Sequence, residues 1–311
     1  MKPGVPPFRG LTALALALGL SACQMVTPTP IPPARPEAPP MQSAESKALE
    51  AYYARVEADL VDRGLARTDG GGPDTPFSRR HLIENFVQIA LYNEYDVSSG
   101  FLVARRSESR LRRWESPVRL NVSYGETVPA EKRRKDQAEV TSFARRLSHL
   151  TGTPVTLSTP TAANFHVFFV HEDERRALGP TLKELVPGLT DGLVRSITDM
   201  SRSTFCTVYA FSIDNASTYY RAIAIIRAEQ PDLLRQTCIH EELAQGMGLA
   251  NDSPSARPSI FNDDEEFALL TRQDELLLQM LYDPRLTPGM TPAQARPILP
   301  EIAADLMGGE S

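Results

Sequence analysis

The segment from Cys238 to Asp252 carries the residues best suited to chemistry: Cys-Ile-His-Glu-Glu-Leu-Ala-Gln-Gly-Met-Gly-Leu-Ala-Asn-Asp. Ile239, Leu243 and Met247 recur every four residues, which predicts the buried stripe of a helix. Glu241 and Gln245 then share the opposite face one turn apart, and Glu242 lies about 100° around the axis from Glu241. A polar pair at i, i+4 with a carboxylate beside its first member is the spacing by which a helix presents two metal ligands and a general base. Pro231 is placed to open this helix and Gly248 to close it.

Such a helix needs a scaffold, and the rest of the chain predicts one. Helical spacing of Leu49, Tyr52, Tyr53, Val56 and Leu60 predicts a helix over about 44–67, ended by Gly70-Gly71-Gly72-Pro73. A second spans about 78–92, followed by a strand near 100–104 and another ending at Val122. Residues 131–150 form an amphipathic helix with Val140, Phe143, Ala144, Leu147 and Leu150 on one stripe. Strands are predicted over 154–158, 164–171, 204–213 and 220–226. Thr271 caps a helix reaching Tyr282, and a last short helix falls at about 298–307 in a tail read as peripheral. Strands and helices in this order predict an α+β fold.

The motif resembles that of the metzincin proteases, His-Glu-x-x-His-x-x-Gly-x-x-His. Here it reads Glu-Glu-x-x-Gln-x-x-Gly-x-x-Asn from Glu241. Glu242 falls on the general base, Gly248 on the turn glycine, and Glu241, Gln245 and Asn251 on the three ligand positions; His240 is one residue out of register. Pro258-Ser259-Ile260-Phe261-Asn262 falls where the Met-turn follows, with Phe261 in place of methionine. Residues 110–285 therefore resemble a zincin domain of the matrixin type, with mixed sheet, backing helix and degenerate active-site helix, preceded by a helical region at 44–109 and followed by a tail at 286–311. The mature chain as a whole is similar to proteobacterial lipoproteins of domain-of-unknown-function family 2927, a name that implies no activity.

The substitutions change the chemistry. Catalytic zinc takes imidazole or thiolate ligands with one position left open. A carboxylate and two amides are hard oxygen donors, so no metal or other cofactor is expected at Glu241, Gln245 and Asn251. Glu242 alone, as general base, supplies about 10²–10⁴-fold, whereas enzyme accelerations begin near 10⁶-fold. The chemistry thus favours a binding or assembly role, a pseudo-protease cleft lined by His240, Glu241, Glu242, Gln245, Asn251 and Asp252. The alternative is a hydrolase of peptide or cell-wall polymer using Glu242. Among the other histidines, His166 and His171 are five apart on one strand and face opposite sides, so they make no ligand pair. The acidic run 263–266 lacks the spacing of a calcium loop.

The first forty residues read as an address. Lys2 and Arg9 precede an apolar run from Leu11 to Leu20, too short to span a bilayer. Leu20-Ser21-Ala22-Cys23 resembles a bacterial lipobox, which implies cleavage after residue 22 and lipidation of Cys23. Gln24 in place of aspartate points to the outer membrane over the inner. Seven prolines between residues 28 and 40 make 23–43 a semi-rigid tether. Lipidation leaves Cys206 and Cys238 as an even pair in an oxidising compartment, where a disulfide is expected. The net charge of −6 argues against nucleic acid as a partner. The partners expected instead are the membrane, through Cys23, and a peptide, cell-wall polymer or envelope protein.

Overall fold

The computed structural model describes residues 41–98, 101–213 and 216–308. The expected signal segment, Cys23 and most of the expected tether lie outside the described residues. Among the described residues, no helix is long and apolar enough to cross a membrane.

The first helix, α1 (Ala44–Asp62), is capped by the Ser43 hydroxyl and ends at Arg63 and Gly64, where φ reaches +75°. It stops before Arg67, contrary to expectation. The chain instead turns so that the Ala66 and Arg67 amides donate to the carbonyls of Glu265 and Glu266. Helix α2 (Arg79–Leu91) follows, with Ser78 as its cap, and then a hairpin of β1 (Tyr92–Ser98) and β2 (Phe101–Glu108). The first strand of that hairpin has no counterpart in the sequence reading.

The main sheet comprises β3 (Val118–Tyr124), β4 (Val155–Leu157), β5 (Phe165–Val170), β6 (Cys206–Ser212) and β7 (Tyr219–Arg227). Their spatial order is β4-β3-β5-β7-β6; the first four are parallel and β6 runs antiparallel along β7 at the edge. The sheet is mixed and the fold is α+β. Helix α3 (Ala130–Thr151) crosses over between β3 and β4, and its stripe of Val140, Phe143, Ala144 and Leu147 is buried as predicted.

All six residues of β5 are buried, because both faces of the sheet are covered. Phe165, Val167 and Phe169 join Ala222, Ala224 and Ile226 of β7 in the main core. Phe168, Val170, Ile223 and Ile225 point the other way, into a second core. After α4 (Glu172–Arg176), which buries the charged Glu172 and Arg175, that second core is closed by α5 (Gly179–Leu185), which supplies Leu182, and α6 (Asp191–Thr198), which supplies Val194 and Ile197. Short helices that bury at most two apolar residues each leave little periodicity to read, which explains why the sequence did not predict them.

The main core is completed by α7 (Asp232–Met247), α8 (Arg272–Leu281), α9 (Pro292–Ala295) and α10 (Leu299–Leu306). Thr271 caps α8 through a reciprocal bond with Asp274. The tail is not peripheral: Leu299, Ile302 and Ala303 are fully buried, and α10 packs on α2 and α8.

One close approach determines how α7 lies on the sheet. A Cβ at Gly246 would stand 2.5 Å from Cζ of Phe165 and 3.4 Å from Cγ2 of Val208. The Phe165 ring is itself buried and stacked on Trp114, so it has nowhere to go. Helix propensity alone predicts that Gly246→Ala stabilises the protein by about 1 kcal/mol. Overpacking costs about 1–3 kcal/mol and acts in the opposite sense. We expect Gly246→Ala to lower the midpoint of urea unfolding; a raised midpoint would show that the helix has room to lift.

Candidate functional site

Helix α7 is held at its C-terminal end by side chains from distant segments. The Trp114 indole Nε1 donates to the Gly246 carbonyl at 2.8 Å, and the Tyr282 hydroxyl donates to the Met247 carbonyl at 2.9 Å. These are carbonyls of the last turn, which find no partner within the helix. Complete burial pushes the Tyr282 hydroxyl's pKa well up, so it stays a donor. Gly248 follows with φ +126°, and a side chain there would collide with the Arg112 carbonyl. At the other end Arg235 binds Asp136 of α3 at 2.9 Å and Asp232 at 2.8 Å. A disulfide between Cys206 and Cys238, with Cα atoms 5.9 Å apart, ties α7 to β6.

Between α7, β6 and the segment from α6 to Thr204 lies a cleft of about 640 Å³. Ile239, Leu243 and Met247 face the core, as the spacing predicts. Glu241, Glu242 and Gln245 face the cleft, with Asp252 beyond the helix end. Gln245 Nε2 donates to Asp252 Oδ1 at 3.2 Å. Glu242 is 3 % exposed, set at the back of the cleft, while Glu241 is half-buried with Oε2 3.9 Å from the Cys206 sulfur.

Two of the residues expected in the cleft are elsewhere. Asn251 is buried against α2: its side chain donates to the Gln88 carbonyl at 2.8 Å and its amide donates to the Ile89 carbonyl. The three positions corresponding to the metzincin ligands therefore do not face one cavity, and this chain's residues do not fit that family's zinc. His240 lies on the core side of α7, stacked on Phe143 with centroids 4.1 Å apart. Its Nδ1 accepts from the Leu270 amide, so Nε2 carries the proton and donates to Glu139 at 2.9 Å. Phe261, in the segment likened to the Met-turn, is fully buried in the main core.

The cleft also contains residues the sequence did not single out. Val208, Tyr209 and Phe211 of β6 form one wall, and Ser196 and Met200 belong to the opposite rim. Tyr209 Oη and Ser196 Oγ are 3.0 Å apart, and burial raises the Tyr209 pKa. The alternation of β6 marks it as a strand, but nothing in the sequence marks it as the edge.

With the geometry established, comparison with known proteins identifies the family. The family described as "Protein of unknown function (DUF2927)" matches residues 79–301, and the chain belongs to it. No curated protein and no solved structure matches the chain.

The placement of His240 has a measurable consequence. Desolvation lowers its pKa below 6.5, and protonation would turn the Leu270 amide against an N–H. A depressed folded-state pKa stabilises above the unfolded value and is lost as pH falls through the folded one. His240→Phe keeps the stack but removes both bonds, costing about 1–3 kcal/mol at pH 7. The loss relative to wild type should shrink in urea melts below pH 6. An undiminished gap would contradict the neutral, buried assignment.

Proposed function

We propose that the protein is a cell-envelope lipoprotein, lipidated at Cys23 and carried on a proline-rich tether, whose zincin-like domain binds an extended peptide without cleaving it. The mixed sheet, the backing helix α3 and a helix bearing Glu241, Glu242 and Gln245 over a cleft all support the zincin-like reading. The observation that carries the binding role is the edge strand. β6 pairs with β7 on one side, its other side has no strand partner among the described residues, and its residues wall the cleft. An extended peptide added there gains backbone hydrogen bonds from β6 and side-chain contacts from Val208 and Tyr209.

The alternative is hydrolysis with Glu242 as general base. It is favoured by the position of Glu242 at the back of the cleft, and it is separated from binding by a single variant. Peptides selected from a displayed library of extended sequences are expected to bind the full chain with Kd of about 1–100 µM. Val208→Arg should weaken binding by about tenfold or more, and Glu242→Gln should leave it within about twofold. Peptide turnover abolished by Glu242→Gln would establish the enzyme instead; binding indifferent to Val208→Arg would remove the cleft from the account. For the anchor, Cys23→Ser should move the protein from the membrane fraction to the soluble fraction. Continued membrane partitioning of that variant overturns lipidation.

A further inference from the structure

We propose that the Cys206–Cys238 disulfide masks a zinc site. On reduction the two sulfurs, together with Glu241 and Glu242, form a four-ligand set at the cleft wall. The arrangement follows from two elements. On α7, Cys238, Glu241 and Glu242 occupy positions i, i+3 and i+4, which share one helix face. The disulfide brings the Cys206 sulfur of β6 onto that face. A ligand atom from each of Cys206, Glu241 and Glu242 lies within 4.8 Å of the other two, and the Cys206 sulfur is 3.9 Å from Glu241 Oε2.

Those separations suit tetrahedral zinc. With Zn–S of about 2.3 Å and Zn–O of about 2.0–2.2 Å, the edge between a sulfur and an oxygen ligand is about 3.5 Å. Small side-chain rotations close the remaining distance. Once reduced, the two sulfurs separate to ordinary contact, which is close to the sulfur–sulfur edge of the same tetrahedron.

The oxidised and reduced states differ in donor chemistry. A disulfide sulfur offers no anionic lone pair, so in the oxidised state the four-residue set offers only the two hard carboxylates of Glu241 and Glu242 as anionic donors. Two thiolates beside them make a mixed sulfur and oxygen set that favours zinc over calcium or magnesium. The site differs from the metzincin one: it uses neither Gln245 nor Asn251, and its sulfur donors come from outside that motif. Access is open, because Cys206, Glu241 and Glu242 all line the cleft. The balance is simple. A dithiol reductant of the thioredoxin class supplies two electrons and two protons and leaves as its own disulfide; zinc then displaces two protons from the protein thiols.

The test uses the full chain, oxidised or held reduced with a phosphine, titrated with Co²⁺ as a probe whose thiolate charge-transfer absorption reports sulfur ligation, and then with Zn²⁺ in competition. The reduced protein is expected to bind one equivalent with the sulfur band and the oxidised protein none. Glu241→Gln with Glu242→Gln should weaken binding at least tenfold at an unchanged thiol count. Because reduction can unfold the chain, Cys238→Ser provides a reductant-free version. Circular dichroism reports its fold, and Cys206, Glu241 and Glu242 should still give a one-equivalent complex with a sulfur band. No sulfur band in either the reduced protein or Cys238→Ser overturns the site, as does binding indifferent to both glutamate substitutions. Neither result bears on peptide binding by the oxidised protein.

Discussion

The seating of α7 on the sheet is the constraint from which the rest of the site follows. Gly246 admits the Phe165 ring against the helix backbone, and Trp114 and Tyr282 take the carbonyls the helix cannot satisfy itself. Those contacts determine both the height of the helix and its rotation about its own axis. Rotation matters most, since residues about 100° apart see different surroundings. With Ile239, Leu243 and Met247 turned to the core, Glu241 and Gln245 must face out and Glu242 must fall at the boundary. His240 is carried to the buried side by the same rotation. A histidine one register from the motif thus becomes a packing residue, with its tautomer determined by the Leu270 amide.

The cleft has two walls with different supports. The disulfide closes a loop 32 residues apart in sequence and holds β6 to α7, a link worth about 4 kcal/mol by the loop-entropy relation. Edge strand and carboxylate pair are therefore at a covalently limited distance. The opposite rim depends on Arg227, the last residue of β7, which is 1 % exposed. Its guanidinium binds Glu172 and donates to the carbonyls of Met200, Ser201 and Thr204. Removing either partner of such a buried pair leaves an uncompensated charge, so the rim is held more firmly than a surface loop.

Legibility in the sequence tracked the range of the interactions involved. The strands of the main sheet and the long helices announced themselves through periodicity, as did the stripe of α3 and the cap at Thr271. The disulfide followed from cysteine arithmetic. What stayed hidden depends on tertiary neighbours. Helices α4 to α6 bury too few residues each to show a pattern. The tail looked peripheral because Leu299 and Ile302 are sparse in sequence, yet both are buried in the main core and their helix packs on α2. At the site, Glu241, Glu242 and Gln245 line one cleft, whereas Asn251 and His240 do not. Beyond Gly248 the chain leaves helical geometry, and bonds to the Gln88 and Ile89 carbonyls of α2 determine which way Asn251 turns.

That turn of Asn251 separates the site from the metzincin ligand arrangement more decisively than the side-chain differences do. Even a ligand-competent residue at position 251 would point toward α2 and away from the cleft. Histidines placed at 241, 245 and 251 would supply two imidazoles to the cleft and bury the third. The mismatch with the metzincin ligand pattern therefore lies in the backbone after Gly248 as well as in the side chains. What the fold retains is a bounded groove beside a strand edge, with two carboxylates and a disulfide at its wall. The proposed peptide recognition rests on that geometry alone.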